Sequence, residues 1–249
     1  MSSARRQKER IVAMIPARMG STRLKSKNLA LLCGKPLIYY AVKAAEDSGV
    51  FDRIVINAED DTFSKIAKRY NVEFYKRPER LASSSAKSDS VVYDFIKNIP
   101  CDIVVWVNTI APLQSGREVK DAVRHFLKER LDSLITVKNE QVHCAYKGKP
   151  VNYSPKGLFA QTQGLEPVQP FIYSVMIWRA GPFMKEFESK GYAFFCGRSG
   201  LYPVSKLSSV IIKKEEDLML ADCLMRLALN EKKYKVRYDS LIKSGERPG

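Results

Sequence analysis

The stretch RIVAMIPARMGSTRLKSKNLALLCGKPLIYYAVKAAEDSGV, residues 10–50, sets the pattern for the whole chain. Its first segment, RIVAMIP, is a short apolar run closed by Pro16, as expected of a strand buried on both faces. Its last segment, PLIYYAVKAAEDSGV, has apolar residues at helical spacing. It begins at Pro36 and closes at Gly49, which predicts a helix. Between them Arg18, Arg23, Lys25 and Lys27 are interleaved with Gly20, Ser21 and Thr22. A small-residue loop between a strand and a helix can present backbone N–H groups to an anion. Gly20 permits close approach, and Ser21 and Thr22 add hydroxyl donors. Arg18, Arg23 and Lys27 supply charge, arginine through paired hydrogen bonds and lysine as a point charge. Neither G-x-x-x-x-G-K-[ST] nor G-x-G-x-x-G is present. Residue chemistry alone leaves the loop open between a phosphate cradle and a solvated basic turn.

The same alternation runs on. DRIVINA (52–58), VEFYKRP (72–78), DIVVWVN (102–108) and SLITVK (133–138) read as strands. DDTFSKIAKRY (60–70), KSDSVVYDFIKNI (87–99) and GREVKDAVRHFLKER (116–130) read as helices. Apolar strands separated by helices predict an α/β fold, a doubly wound and mostly parallel sheet. Ligands of such sheets bind beyond the carboxyl ends of the strands. The loops after IVAMIP and IVVWVN are therefore the places to look. The rhythm breaks over about 139–180, a stretch rich in Pro, Gly, Gln and Tyr. It reads either as an arm that packs on a partner subunit or as a surface excursion with two short hairpin strands. SVMIWRA (174–180) then returns as a strand, and a last helix begins at Glu215. A single domain over 10–235 is expected, with poorly ordered tails at 1–9 and 236–249.

Composition narrows the function classes. The 249 residues are 45% hydrophobic and 28% charged, as in a globular domain with a real core. No apolar run approaches a membrane span, and the charged N-terminus does not read as a signal peptide. The net charge of +15 invites a nucleic-acid reading. The charges are spread along the chain without a recognition motif, which favours a basic surface or small anionic substrates. Five cysteines without C-x-x-C spacing suggest free thiols in a reducing cytoplasm. His125 falls in a helix-like run and reads as structural, whereas His143 lies in a loop-like segment where it could meet a substrate.

Three motifs resemble the CMP-sugar synthetases, the acylneuraminate and 3-deoxy-octulosonate cytidylyltransferases. Ala17-Arg18, Gly20-Ser21, Leu24, Lys27-Asn28 and Gly34-Lys35-Pro36-Leu37 follow the opening signature of that family. KRPERLASSSAKSDSV, with Arg77, Pro78, Leu81, Ala82, Ala86 and Ser88, is similar to its second motif. VWVNTIAPLQSGREV is similar to its third. The resemblance implies transfer of a cytidylyl group from CTP to a keto-sugar acid with release of pyrophosphate. It also implies a homodimer formed through the late arm. It would place Ala17, Arg18, Gly20, Ser21, Arg23, Lys27 and Asn28 against the triphosphate and cytosine. Arg77 and Ser88 would complete the base and ribose pocket, and Asn108 stands for a glutamine that contacts nucleotide or sugar. Gln114, Lys138, Gln163 and Tyr173 fall on the sugar side.

The sequence also departs from that pattern. Ser84 stands where the family has aspartate, Gln114 where it has arginine, and Gln163 where an arginine precedes the returning strand. The Asp-x-Asp pair that binds Mg2+ in acylneuraminate enzymes is replaced by Ile211 and Lys213, and neither side chain can hold a hard cation through oxygen. Three readings stay open. Lys213 acts as a fixed cation in catalysis beside Arg18 and Lys27, or Mg2+ arrives only with CTP, held mainly by phosphate oxygens and by one of Glu215, Glu216 or Asp217, or the fold persists without cytidylyl transfer. The acidic trio Glu215, Glu216 and Asp217 reads as one turn of negative charge at a helix N-terminus.

Overall fold

The computed structural model describes residues 8–229 and 239. Seven strands form one sheet: β1 (Ile11–Pro16), β2 (Arg53–Ala58), β3 (Glu73–Lys76), β4 (Ile103–Val107), β5 (Ser133–Val137), β6 (Phe171–Arg179) and β7 (Ser199–Pro203). Their spatial order is β7-β5-β6-β4-β1-β2-β3. β6 alone is antiparallel to its neighbours; the other pairings, β1 with β2 and β4, β2 with β3 and β5 with β7, are parallel. This is the doubly wound, mostly parallel sheet expected.

The alternation within β1 shows why these residues make a central strand. Ile11, Ala13 and Ile15 join one apolar cluster, and Val12 and Met14 join the cluster on the opposite face. Helices α1 (Leu37–Ser48), α2 (Thr62–Arg69) and α4 (Gly116–Lys128) cover the first face. Helices α3 (Ser88–Asn98) and α5 (Ala180–Lys190) cover the second. Both faces are buried, so the strand needs no polar side. The α1–α4 contact is close: a Cβ added at Gly116 would stand 2.6 Å from Asp47 Cβ. α4 starts with a capping box, in which Ser115 accepts from Glu118 N–H and Glu118 accepts from Ser115 N–H.

Two elements were not foreseen. α5 and β7 follow β6 directly, and β7 extends the sheet beside β5. β6 also begins earlier than expected, at Phe171, and its register breaks between Phe171 and Met176. Tyr173 sits inside that break with φ 57°, a left-handed conformation uncommon for a bulky residue.

The segment from 139 to 170 carries little regular structure. It holds a two-residue hairpin, Ala145–Tyr146 with Lys149–Pro150, and a bridge between Glu140 and Val168. Leu158, Phe159 and Tyr146 are exposed on it. Of the expected tails, Lys8 and Glu9 are tied to the domain through Asp52 and Arg179. The remaining tail residues lie outside the described ones, apart from Asp239.

The last helix, α6 (Glu215–Leu229), docks elsewhere. Ala221 in α6 and Ile212 just before it pack with Leu32, in a hairpin of Leu31–Leu32 and Lys35–Pro36, and with Leu37, which follows that hairpin. The two turn residues of that hairpin, Cys33 and Gly34, both have positive φ, as a tight hairpin of matching twist requires. This docking brings the segment before α6 back over the opening loop.

Candidate functional site

A cavity of about 290 Å³ opens past the carboxyl ends of β1 and β4. The opening loop supplies Ala17, Arg18, Ser21, Thr22, Arg23, Lys27 and Asn28; the β3–α3 connection and α3 supply Arg77, Leu81, Ser83, Ser84, Ala86, Ser88 and Val91. Trp106, Asn108, Thr109 and Ile110 come from the end of β4 and the loop after it, and Lys213 from the segment before α6. The structure thus brings together Ala17, Arg18, Ser21, Arg23, Lys27, Asn28, Arg77, Ser88, Asn108 and Lys213. Gly20 lies in the same loop without lining the cavity. A Cβ there would meet nothing within 4 Å, so its absence of side chain answers no crowding within this chain.

The loop is held by its own side chains. Asn28 is buried, donating from Nδ2 to the Arg18 carbonyl (3.0 Å) and accepting at Oδ1 from Thr109 Oγ1 (2.7 Å). Both ends of its amide are engaged, so in this conformation Asn28 fixes the loop instead of facing a ligand. Arg77 is also buried; its Nη2 donates to Ala17 O (2.7 Å) and pairs with Glu59 Oε2 (3.2 Å). Glu59 Oε1 accepts from Met19 N–H (2.9 Å). One carboxylate therefore ties the loop to the arginine. Burial pulls the Arg77 pKa below the ordinary arginine value, and Glu59 opposes the shift. Asn108 is placed by the irregularity in β6: its N–H donates to Ser174 O (2.9 Å) and its Nδ2 to Tyr173 O (3.0 Å).

The charge of the cavity is one-sided. Arg18, Arg23, Lys27, Arg77 and Lys213 line it, and no Asp or Glu is among the lining residues. Burial, and then the neighbouring charges of Arg23, Arg18 and Lys213, hold the Lys27 pKa below its ordinary value; Asp217 acts the other way. Lys27 Nζ donates to Ile212 O (3.2 Å), and Arg18 Nη1 to Ala82 O (3.2 Å). Like charges held together with backbone carbonyls as their protein partners form a receptor for a polyanion.

The same lining tests for a divalent cation. A hard cation takes several oxygen ligands, mostly carboxylates. Asp217 Oδ2 accepts from Lys213 N–H and Lys214 N–H, both at 2.8 Å, which hold its carboxyl below the ordinary range. Among the described residues no group of three or more His, Cys, Asp or Glu could hold a metal. The side chains present do not form a metal cage.

The sugar-side expectations separate from this cavity. Gln114 is buried, and its Nε2 has no partner. Lys138 pairs with Glu140, and Gln163 lies on an exposed 3-10 turn. Tyr173 is 39% exposed and meets the site through its carbonyl. His143 stacks on Phe159 within the 139–170 segment, and His125 packs against Tyr202. The sequence reading missed Thr109, Trp106 and Glu59. Glu59 was detectable as the acid that follows strand β2, but nothing local showed that it would face Arg77.

The sheet order and a cationic cleft past its strand ends define an α/β protein with an anion-receptive site where such sheets carry their ligands. A cytidylyltransferase family profile matches residues 12–152, more than half of the chain. The chain belongs to the cytidylyltransferase family. It is similar to N-acylneuraminate cytidylyltransferase of Streptococcus agalactiae serotype III (strain NEM316), 24% identical over 241 residues that cover 91% of this chain and 56% of the relative. Pseudaminic acid cytidylyltransferase of Campylobacter jejuni is 32% identical over 125 residues, 48% of this chain and 54% of that relative. The chain matches little more than half the length of either relative. In fold it is similar to CMP:2-keto-3-deoxy-manno-octonic acid synthetase solved with CTP, with TM-score 0.69 at 12% identity, covering 88% of this chain and 99% of that one. The resemblance to CMP-sugar synthetases read from three short motifs is borne out. No described helix is long and apolar enough to cross a membrane.

Proposed function

We propose that the chain transfers a cytidylyl group from CTP to a 2-keto-3-deoxy sugar acid, a sialic-acid-like nonulosonate or an octulosonate. The observation that carries this reading is the carboxylate-free cleft at the strand ends, which gathers the motif residues Arg18, Ser21, Lys27, Asn28, Arg77 and Ser88 and adds Arg23 and Lys213. An acceptor hydroxyl oxygen forms a bond to the α-phosphorus, the bond from that phosphorus to the bridging oxygen breaks, pyrophosphate leaves, and the hydroxyl proton passes to solvent. Fixed cations stabilise charge on the phosphoryl group and on the leaving group, and positioning supplies most of the rest. Any Mg2+ in the reaction is carried by the phosphate oxygens of CTP. The exposed Leu158, Phe159 and Tyr146 support a homodimer formed through the 139–180 arm. The free thiols fit a cytoplasmic setting.

The test is pyrophosphate release from CTP with a panel of keto-sugar acids. Release with one acid and not with simple sugars is expected. The missing metal cage favours a second reading, a non-catalytic nucleotide-binding homologue. CTP binding without turnover on any acceptor would establish it.

A further inference from the structure

We propose that Lys213, with Arg18, Arg23 and Lys27, neutralises the nucleotide's phosphates in the role a protein-held divalent ion would fill, so that this chain binds a nucleoside triphosphate without any divalent cation. The inference rests on the nucleotide reading of the cleft and adds how the phosphate charge is met.

Its first support is the composition of the lining, which holds these four cations, the Glu59-paired Arg77 and no acid. Its second is the state of the acids that touch lining residues. Glu59 spends one oxygen on Met19 N–H and the other on Arg77. Asp217 accepts two backbone N–H groups at the start of α6. Drawing either to a metal would strip a buried arginine of its counter-charge or uncap the helix.

Its third support is how firmly Lys213 is placed. Ile212, the residue before it, is fully buried; its N–H donates to Ile110 O (2.8 Å) and its carbonyl accepts from Lys27 Nζ (3.2 Å). The Lys213 N–H is fixed by Asp217. Its own side chain is exposed yet lines the cleft, so it can swing onto a phosphate without breaking a protein contact seen in the structure. A lysine is a compact point charge with three donors, suited to bridging phosphate oxygens.

The experiment is calorimetric titration of the full chain with CTP and with CMP, in Mg2+ and in EDTA. CTP affinity in EDTA should stay within about threefold of its value in Mg2+, a small difference on the affinity scale. Lys213→Ala should weaken CTP binding about tenfold or more in EDTA, the cost of losing one charge-assisted contact. The same substitution should leave CMP within about twofold and Lys213→Arg should keep most CTP affinity, because only the added phosphates need the extra cation. CTP binding in Mg2+ that vanishes in EDTA would overturn the proposal and leave the cytidylyltransferase reading standing. Equal loss of CTP and CMP in Lys213→Ala would also overturn it, marking a structural role. Absence of CTP binding in both buffers would overturn the nucleotide reading itself.

Discussion

Removing the Asn28 amide separates two roles the residue could play. Asn28 is 5% exposed and Thr109 3%, and the two side chains share a 2.7 Å hydrogen bond, while the other end of the Asn28 amide holds the Arg18 carbonyl at 3.0 Å. Asn28→Ala leaves the Thr109 hydroxyl without its acceptor and the Arg18 carbonyl without its donor. An unsatisfied buried group costs about 1–3 kcal/mol, so the pair costs about 2–4 kcal/mol once relaxation is allowed. A domain of this size loses about 2–4 °C of Tm per kcal/mol, which gives a fall of about 5–15 °C. Thr109→Val should cost about 1–3 kcal/mol, because Asn28 Oδ1 is then the orphan. Since they share one bond, the double variant should lose less than the sum, with a coupling of about 1–2 kcal/mol. Thermal unfolding of the ligand-free protein reads all three. CTP titration should show a secondary loss, because the Arg18 backbone is no longer held. A ligand-free Asn28→Ala protein with unchanged Tm but weakened CTP binding would refute this reasoning and assign the amide to the nucleotide directly.

Glu59→Ala should destabilise by about 3–5 kcal/mol, because it leaves Arg77 buried without its carboxylate; urea unfolding checks it. Gly116→Ala should cost about 1–3 kcal/mol by overpacking α1 against α4, measured as a lowered Tm with CTP affinity unchanged. The Lys27 pKa is depressed in the folded state, so between that value and 10.5 the unfolded chain binds more protons and stability rises with pH. Lys27→Met should remove that alkaline gain in pH-dependent unfolding, and near neutrality it should hold Tm level or raise it while CTP affinity falls. Asp217 follows the same sign, at the acid end of the range. Its folded pKa lies below 3.8, so its stabilisation is full above that value and is lost as pH falls through the depressed one. Asp217→Asn should therefore blunt the acid limb of the stability profile.

The sheet was legible because its strands obey one rule along their whole length. β1 alternates between two cores, and a strand buried on both faces must read as a continuous apolar run. The opening loop was legible for a related reason: Arg18, Ser21 and Lys27 lie on one short segment between a strand and a helix, so local spacing carried them. Glu59, Thr109 and Trp106 were missed because their roles are set by partners distant in sequence. Thr109 matters through Asn28, 81 residues away. β7 hid behind its exposed alternate positions at the sheet edge, where Gly200 and Pro203 weaken the strand pattern. Tyr173 was placed near the sugar side by position, but its left-handed backbone depends on the register break that no local pattern announces.

The two internal ties of the loop follow from the charge they confine. Arg18, Arg23, Lys27 and Lys213 repel one another around one cleft, with the Glu59-paired Arg77 beside them, and water or anions would otherwise relax that repulsion by letting the loop spread. Asn28–Thr109 fixes the loop to the end of β4, and Arg77–Glu59 fixes it to β2 and β3. A spread loop would have to gather its cations each time a triphosphate arrived, and that reorganisation would be subtracted from binding. Held cations carry the cost in the empty protein instead, where burial first and then the neighbouring cations lower the Lys27 pKa. The field of Arg18 and Lys27 then acts on the phosphates from a loop already in place, which is the condition under which such groups lower a barrier most. The positioning residues and the charged residues are thus one device. Loosening Asn28 should weaken the response to CTP through Arg18 and Lys27 even though every cation is still present.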